Sequence, residues 1–350
     1  MSIINNLIFD NDSLSFEINN KNNFKISLIN GIRRTIIGKV NTYSLDYNND
    51  NILFNNSISD NSFLLQRLAL LPIKCNTKLN YKNLVFSLNI ENNNNTIKSY
   101  YLTDFKIKDA DNDIPVEDIF VHPKILFCKL KYNQSLSINS FLNYNNSDNG
   151  GSYFMPVCNC KVTFKRDNEL IKNHIKENNL NEEQIKEFML LEASRFYSKK
   201  NDGNPSIYNF DLETNGQFTC NELINMSINL LKERLDNIKT SIKNNNSSKI
   251  IYEVSDSKMN AYDITLYDED DTIGNLLQQY LSEIDNIYYI AYVIPHPLDN
   301  KLLLRVSYKN QENSIDSIKD EILKIIDVIK IKLDEILNDF NKNINKVNNK

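Results

Sequence analysis

Apolar positions along this chain recur with two different periods. Residues 13–18 ("SLSFEI"), 208–214 ("YNFDLET") and 301–308 ("KLLLRVSY") carry them at alternate or consecutive positions, which predicts β-strands. Three stretches have helical spacing instead. "SLINGIRRTIIGKV" places Leu28, Ile32 and Ile36 at i, i+4 and i+8, with Ser27 positioned to cap the first turn. "NELINMSINLLKERLDNIKTSI" puts Leu223, Met226, Leu230, Leu231, Leu235 and Ile238 on one face. Residues 314–340 form a longer stripe that runs from Ile315 through Ile322, Ile326, Ile329 and Leu333 to Phe340 and needs a partner to bury it. Residues 165–200 are charged, helical in pattern and read as an insertion. The Asn-rich stretches 91–99 and 143–152 read as loops, because Asn tolerates left-handed backbone and competes for backbone hydrogen bonds. "IKNNNSSK" (242–249), between a helical pattern and the strand-like "IIYEV", reads as a linker and domain boundary.

A repeat organises these elements. Residues 27–37 ("SLINGIRRTII") and 272–282 ("TIGNLLQQYLS") both start on a hydroxyl residue, Ser27 or Thr272, and carry Asn30 or Asn275 on the third helical position. Leu28 matches Ile273, Ile32 matches Leu277, and Ile36 matches Leu281. Each short helix is followed, after strands, by a longer amphipathic one, 221–241 or 314–340. The chain therefore reads as two related units of class α+β, each a sheet with a short and a long helix. Neither unit can cover its own apolar helix face. Packing the two together, with Leu28, Ile32, Ile36, Leu231, Leu277, Leu281, Ile322 and Ile326 in the seam, makes a dimer within one polypeptide. Gly274, in a first helical turn, suggests close approach of the facing unit.

Composition narrows the function. The 350 residues suffice for two or three domains, and 41% apolar residues support real cores. No run of eighteen apolar residues predicts a membrane span. "MSIINNLIFDNDSLSF" lacks the basic start and cleavage site of a signal peptide, so an intracellular protein is expected. Five scattered cysteines argue against a disulfide framework. A net charge of −5 and a pI near 5.4 do not suit a protein that grips nucleic acid by its phosphates. The abundance of Asn, Ile and Lys fits an A/T-rich genome.

Candidate chemistry is sparse. His296 stands between Pro295 and Pro297 in "YVIPHPL", with no second histidine or cysteine arranged to share a metal, so the segment reads as a stiff corner between strands. Cys158 and Cys160 form one pair without the second pair that structural zinc requires. The acidic "YDEDDT" (267–272) reads as a helix N-terminus, where carboxylates suit the dipole and Thr272 caps. No phosphate loop, HExxH or paired Cys/His spacing occurs. Metal and cofactor are therefore expected to be none, and catalytic residues none.

At this point the motifs resemble a known family. "SLINGIRRTIIGKVNTYSLD" followed by "DNSFLLQRLALLPI" is similar to the signature of the larger alpha-like subunit of cellular RNA polymerases, the third-largest of RNA polymerase II and the archaeal D polypeptide; the matching positions include Asn30, Arg33, Arg34, Asp46, Phe63, Arg67 and Pro72. "DITLYDEDDTIGNLLQQYL" and "YYIAYVIPHPLDNKLLLRV" resemble the smaller alpha-like subunit, the archaeal L polypeptide, through Thr272, Ile273, Gly274, Asn275, Leu276, Pro295, His296, Pro297 and Arg305. Such a fusion is similar to those of large cytoplasmic DNA viruses.

The resemblance implies a larger alpha-like dimerisation module at 1–50 plus 205–241, a β-rich insert domain at 51–204, a linker at 242–249 and a smaller alpha-like module at 250–350, forming an intramolecular pseudo-dimer. It implies a non-catalytic assembly platform of a DNA-directed RNA polymerase, docking first the second-largest and then the largest subunit. Small zinc-bearing subunits would bind the larger half, DNA would be met only through the complex, and no membrane is involved. The setting would be the host cytoplasm and the virion. Asn30, Arg33, Arg34, Arg67, Thr272, Gly274, Asn275, Leu276, Pro295, His296, Pro297 and Arg305 would serve subunit interfaces, with Arg33 and Arg34 pointing outward, since arginine pairs carboxylates bidentately. A stand-alone adaptor using the same pseudo-dimer is the alternative. A further rival is an enzyme with a site in the insert near His122, Cys158 and Cys160.

Overall fold

The computed structural model describes residues 2–10, 12–75, 81–110, 112–201, 203–255, 261–309 and 314–348. The chain begins with β1 (Ile4–Asp10), β2 (Ser13–Asn19), α1 (Ile26–Gly38) and β3 (Thr42–Leu45). Next come β4 (Ile52–Asn55), α2 (Asn61–Ala69), β5 (Leu84–Asn92), β6 (Lys98–Tyr101), β7 (Lys106–Asp109) and β8 (Asn112–Ile114). A short α3 (Val116–Ile119) leads to β9 (Leu126–Leu130), β10 (Gln134–Ser140), β11 (Leu142–Asn145) and α4 (Ser147–Gly150). Then follow β12 (Val157–Phe164), α5 (Asn168–Glu177), α6 (Glu182–Leu191), β13 (Ile207–Thr214) and α7 (Cys220–Lys243). The last elements are β14 (Ile250–Val254), β15 (Ala261–Tyr267), α8 (Asp271–Leu281), β16 (Ile287–Val293), β17 (Lys301–Tyr308) and α9 (Ile315–Asn348). Among the described residues no helix is long and apolar enough to cross a membrane.

Two compact units result. The first contains residues 1–35, 160–212 and 224–350; the second contains 36–159 and 213–223. These divisions differ from the boundaries drawn on the sequence, which assigned 51–204 to an insert. The reason is strand pairing: β12 and β13 complete the same sheet as β1 and β2, so the chain from Cys160 onward returns to the first unit. The charged segment forms the α5–α6 hairpin in that unit, with its own small core of Ile171, Phe188 and Ala193. His174 stacks on Phe188 at 4.9 Å and packs beside Phe196.

The first unit holds two four-stranded sheets of the same design. Their strand orders are β1-β2-β13-β12 and β14-β15-β17-β16. In each, a short helix follows the second strand (α1 or α8) and a long helix follows the last (α7 or α9). The repeat seen in the sequence is thus a repeat of topology. The core lies under these helices: Leu28, Ile32, Leu231, Leu277, Leu281, Ile322 and Ile326 are all 3% exposed or less. Ile36, at the far end of α1, is likewise fully buried. On α7 the buried face runs through Leu223, Ile224, Ile228, Leu231, Leu235, Ile238 and Ile242, while Met226 and Leu230 are only half-buried. The stripe is rotated from the expected one because the apolar run admits both faces, and packing chose between them.

The second unit is β-rich, with a five-stranded sheet β4-β10-β5-β7-β8 and two ribbons, β11-β3 and β6-β9. Its core joins Leu64 and Leu68 of α2 to Phe86, Phe105, Phe120 and Phe127. Arg67 is part of this assembly: its Nη2 donates to the Leu126 carbonyl at 2.5 Å, and its guanidinium sits over the Phe63 ring.

Candidate functional site: the seam between the two halves

The repeated halves meet through two helix pairs within the first unit. In the short pair, Arg34 Nε donates to Thr272 Oγ1 at 3.0 Å, and the Ser27 amide donates to Gln279 Oε1 at 3.1 Å. Arg34 and Gln279 occupy matched places in α1 and α8, as do Ser27 and Thr272. The counterparts of two residues in contact are therefore themselves in contact, the reciprocity that defines an isologous interface. Both expected hydroxyl caps are corrected here. Helix α1 begins at Ile26, so Ser27 is already helical; its amide is satisfied by Gln279, and its buried hydroxyl has no partner. The cap of α8 is Asp270, which accepts from the Thr272 amide at 2.9 Å. Thr272 instead offers its hydroxyl to Arg34.

The long pair repeats the logic. Lys232 Nζ contacts Asp334 and Lys330 Nζ contacts Asp236, each at 2.5 Å. Asn225 and Asn341 exchange side-chain amide hydrogen bonds at 3.1 and 3.3 Å. The register is antiparallel, and its centre falls at Arg234 and Lys332. These two cations reach across in the same way. Arg234 Nη2 donates to Glu269 Oε2 at 2.6 Å and to Asp270 Oδ1 at 2.9 Å, just before α8. Lys332 Nζ donates to the carbonyls of Asn22 and Asn23 at 2.6 and 3.2 Å, just before α1, and lies over the Phe24 and Tyr280 rings. Burial lowers the Lys332 pKa, which Glu335 partly opposes. Burial raises that of Tyr280, whose hydroxyl accepts from the Lys25 amide.

The seam closes at the N-terminus. Asp339 Oδ2 on α9 accepts the amides of Ile3 and Ile4, each at 2.8 Å, and the Ser2 hydroxyl at 2.9 Å. Phe340 packs against Phe16, which stacks on Phe210 at 5.1 Å. The last helix of the second half therefore covers the sheet of the first.

The other sequence candidates divide into buried and exposed sets. Gly274 and Leu276 are buried and Asn275 is half-buried. The close approach at Gly274 is not to the facing half: a Cβ there would lie 2.4 Å from Leu302 and 2.6 Å from Tyr292, both in its own sheet. At Gly31 a Cβ would make ordinary contacts with Leu231 at 3.5 Å and, across the seam, Thr272 at 3.7 Å. Asn30 accepts from Arg33 Nε at 2.8 Å within α1. Arg305 forms a bidentate pair with Asp263, 2.7 Å to each oxygen, across β17 and β15. Pro295, His296 and Pro297 lie in the turn from β16 to β17, where His296 is exposed and its Nδ1 accepts the Leu298 amide at 3.1 Å. Arg34 is exposed beyond its Thr272 bond. Burial and then the Asp271 carboxylate push the nearby Tyr292 phenol above its ordinary pKa, while Arg34 works against them; the three share the corner where α8 begins.

Gln279, Lys332 and Asp339 were not singled out by sequence reasoning. A signal existed for the centre of the seam: Lys232-Glu-Arg-Leu-Asp236 and Lys330-Ile-Lys-Leu-Asp334 are one pattern used twice.

Two copies of one α+β dimerisation module, closed on each other through reciprocal helix contacts in a single chain, define an internal pseudo-dimer. Known proteins share this module. The RNA polymerase Rpb3/Rpb11 dimerisation domain matches residues 261–335 and, separately, residues 21–235, and the chain belongs to this family. It is 33% identical over 75 residues to the probable DNA-directed RNA polymerases I and III subunit RPAC2 of Caenorhabditis elegans, covering 21% of this chain and 52% of that protein. It is 35% identical over 79 residues to the probable RNA polymerase II subunit RPB11 of Caenorhabditis briggsae, covering 22% and 65%. With the RNA polymerase II subunit RPB11 of Schizosaccharomyces pombe the figure is 36% over 58 residues, covering 17% and 47%. The chain thus spans about half the length of the relatives it matches.

Proposed function

We propose that this chain is a non-catalytic assembly subunit of a multisubunit DNA-directed RNA polymerase. The observation that carries the reading is the reciprocal seam: two modules of a polymerase dimerisation family, closed on each other before any other chain arrives. A ready-made pseudo-dimer removes the bimolecular step of pairing two alpha-like chains. It leaves the outer surfaces to dock the second-largest subunit and then the largest, with small zinc-bearing subunits on the larger half. DNA is met only through the complex. The union of both alpha-like types in one chain favours a polymerase of a large cytoplasmic DNA virus, at work in the host cytoplasm and packaged in the virion. Arg33 and Arg34 supply the docking charges on α1.

Affinity purification of the tagged chain from cells that make the whole polymerase tests this. The two large subunits are expected to co-purify, and their absence leaves the chain a stand-alone adaptor. Arg34→Glu is expected to weaken recovery of the second-largest subunit with the fold retained by circular dichroism. Undiminished recovery removes Arg34 from the docking surface.

A further inference from the structure

The second unit contains a cleft of about 400 Å³ lined by Ser44–Tyr47, Asn143–Asn145, Gly150, Tyr153 and Phe154. We propose that it is a docking site for an arginine side chain presented by a partner polypeptide.

Asp46 lies one residue beyond β3. Its amide donates to the Phe141 carbonyl at 2.9 Å, which fixes the backbone. Its half-buried carboxylate is held by neutral amides: Oδ1 accepts Asn143 Nδ2 at 2.7 Å, and Oδ2 accepts Asn51 Nδ2 at 3.4 Å. Neither bond neutralises the charge. A carboxylate has about four acceptor positions, so both oxygens keep capacity for a further donor. Among the described lining residues there is no lysine, arginine or histidine, and Asp46 is the one acidic side chain.

The walls favour the same occupant. Tyr47 and Tyr153 stack at 5.6 Å with planes 15° apart. Tyr144 leans on Tyr43 at 4.7 Å, and Tyr43 stacks on Tyr81 at 4.3 Å, so the rings are braced from behind. Tyr47 and Tyr144 are nonetheless 47% and 58% exposed. Aromatic faces attract cations through the ring quadrupole. A guanidinium is flat enough to lie on such a face and forked enough to reach both oxygens of a carboxylate. An ammonium meets only the charge requirement. Because Tyr47, Asn143 and Tyr144 line the cleft and are exposed, it opens to solvent and suits a side chain entering on a loop or chain end. The cleft keeps this chemistry whether or not the chain serves a polymerase.

The test is an NMR titration of the full chain with labelled tyrosine rings, using N-acetyl-arginine amide, its uncharged analogue N-acetyl-citrulline amide, and N-acetyl-lysine amide. The arginine compound is expected to shift the Tyr47, Tyr144 and Tyr153 resonances saturably. Citrulline and lysine compounds are expected to bind roughly tenfold more weakly or worse, the scale of a charge-assisted hydrogen bond. Asp46→Asn is expected to abolish the preference for arginine while leaving the other tyrosine resonances in place. Should that variant misfold, Tyr153→Leu removes a wall and is expected to weaken arginine binding without changing its rank over citrulline. Equal binding of citrulline, equal binding of lysine, shifts confined to other rings, or undiminished arginine binding by either variant overturns the proposal.

Discussion

At the scale of single residues, the seam concentrates charge where water is scarce. Arg234 is 15% exposed, and its partners Glu269 and Asp270 are 11% and 26% exposed. Removing one member of such a set strands the others, which costs more than the set contributes to stability. Arg234→Leu is therefore expected to destabilise the chain by about 3 kcal/mol, measured as a fall in the urea midpoint. Asp339 makes a pH prediction. Burial acts to raise its pKa, but the amides of Ile4 and Ile3 and the Ser2 hydroxyl outweigh this and hold the carboxyl below its ordinary value. A carboxyl depressed in the folded state contributes stability above its unfolded pKa of about 4, and loses it as pH falls through the lower folded value. Hydrogen exchange of the Ile3 and Ile4 amides is expected to accelerate, relative to the intrinsic rate, as the pH falls below about 4. Asp339→Asn is expected to flatten that dependence.

At the scale of elements, the two short helices occupy equivalent places but differ in what their glycines serve. Helix α1 has room at Gly31, where a methyl would meet Leu231 and Thr272 at ordinary distances. Gly31→Ala is expected to stabilise by about 0.5–1 kcal/mol, the gain in helix propensity and in chain entropy. Helix α8 has no such room at Gly274, where the methyl would enter Leu302 and Tyr292. Gly274→Ala is expected to destabilise by about 1–2 kcal/mol, overpacking outweighing propensity. Thermal melts of the two variants should therefore move in opposite directions, and a common direction would mean that Gly31 and Gly274 meet the same packing after all.

For the whole molecule, the first unit is one folding body made of two repeats. Phe340 on the first sheet, Asp339 on the first strand and Lys332 on the loop before α1 tie the end of the chain to its beginning. The connection at 244–249 carries little of this, since the seam itself lies between α1 and α8 and between α7 and α9. Co-expressed fragments 1–245 and 246–350 are expected to elute together on gel filtration as a one-to-one complex, whereas each alone should aggregate or unfold. Independent, monodisperse fragments would show that each half covers its own apolar face.

Periodicity and punctuation along the chain were enough for the long helices, the strands "SLSFEI", "YNFDLET" and "KLLLRVSY", and the repeat that makes two halves. They suffice because the spacing of Leu28, Ile32 and Ile36, or of Ile322, Ile326 and Ile329, is a local property that survives in any arrangement burying the stripe. The pattern around Asn30, Arg33 and Arg34 pointed to the family for the same reason. Other features were decided only by the tertiary fold, because they depend on residues far apart in sequence. Ser27 and Thr272 look like caps until Gln279 and Arg34 arrive from the other half. Gly274 looks like a contact between halves until its own sheet fills the space above it. The return of the chain at Cys160 depends on which strands pair, and pairing carries no local signature. The charge pattern Lys-x-(Arg/Lys)-Leu-Asp was legible in both long helices. Its meaning was not, because reciprocity exists only once a helix meets its counterpart.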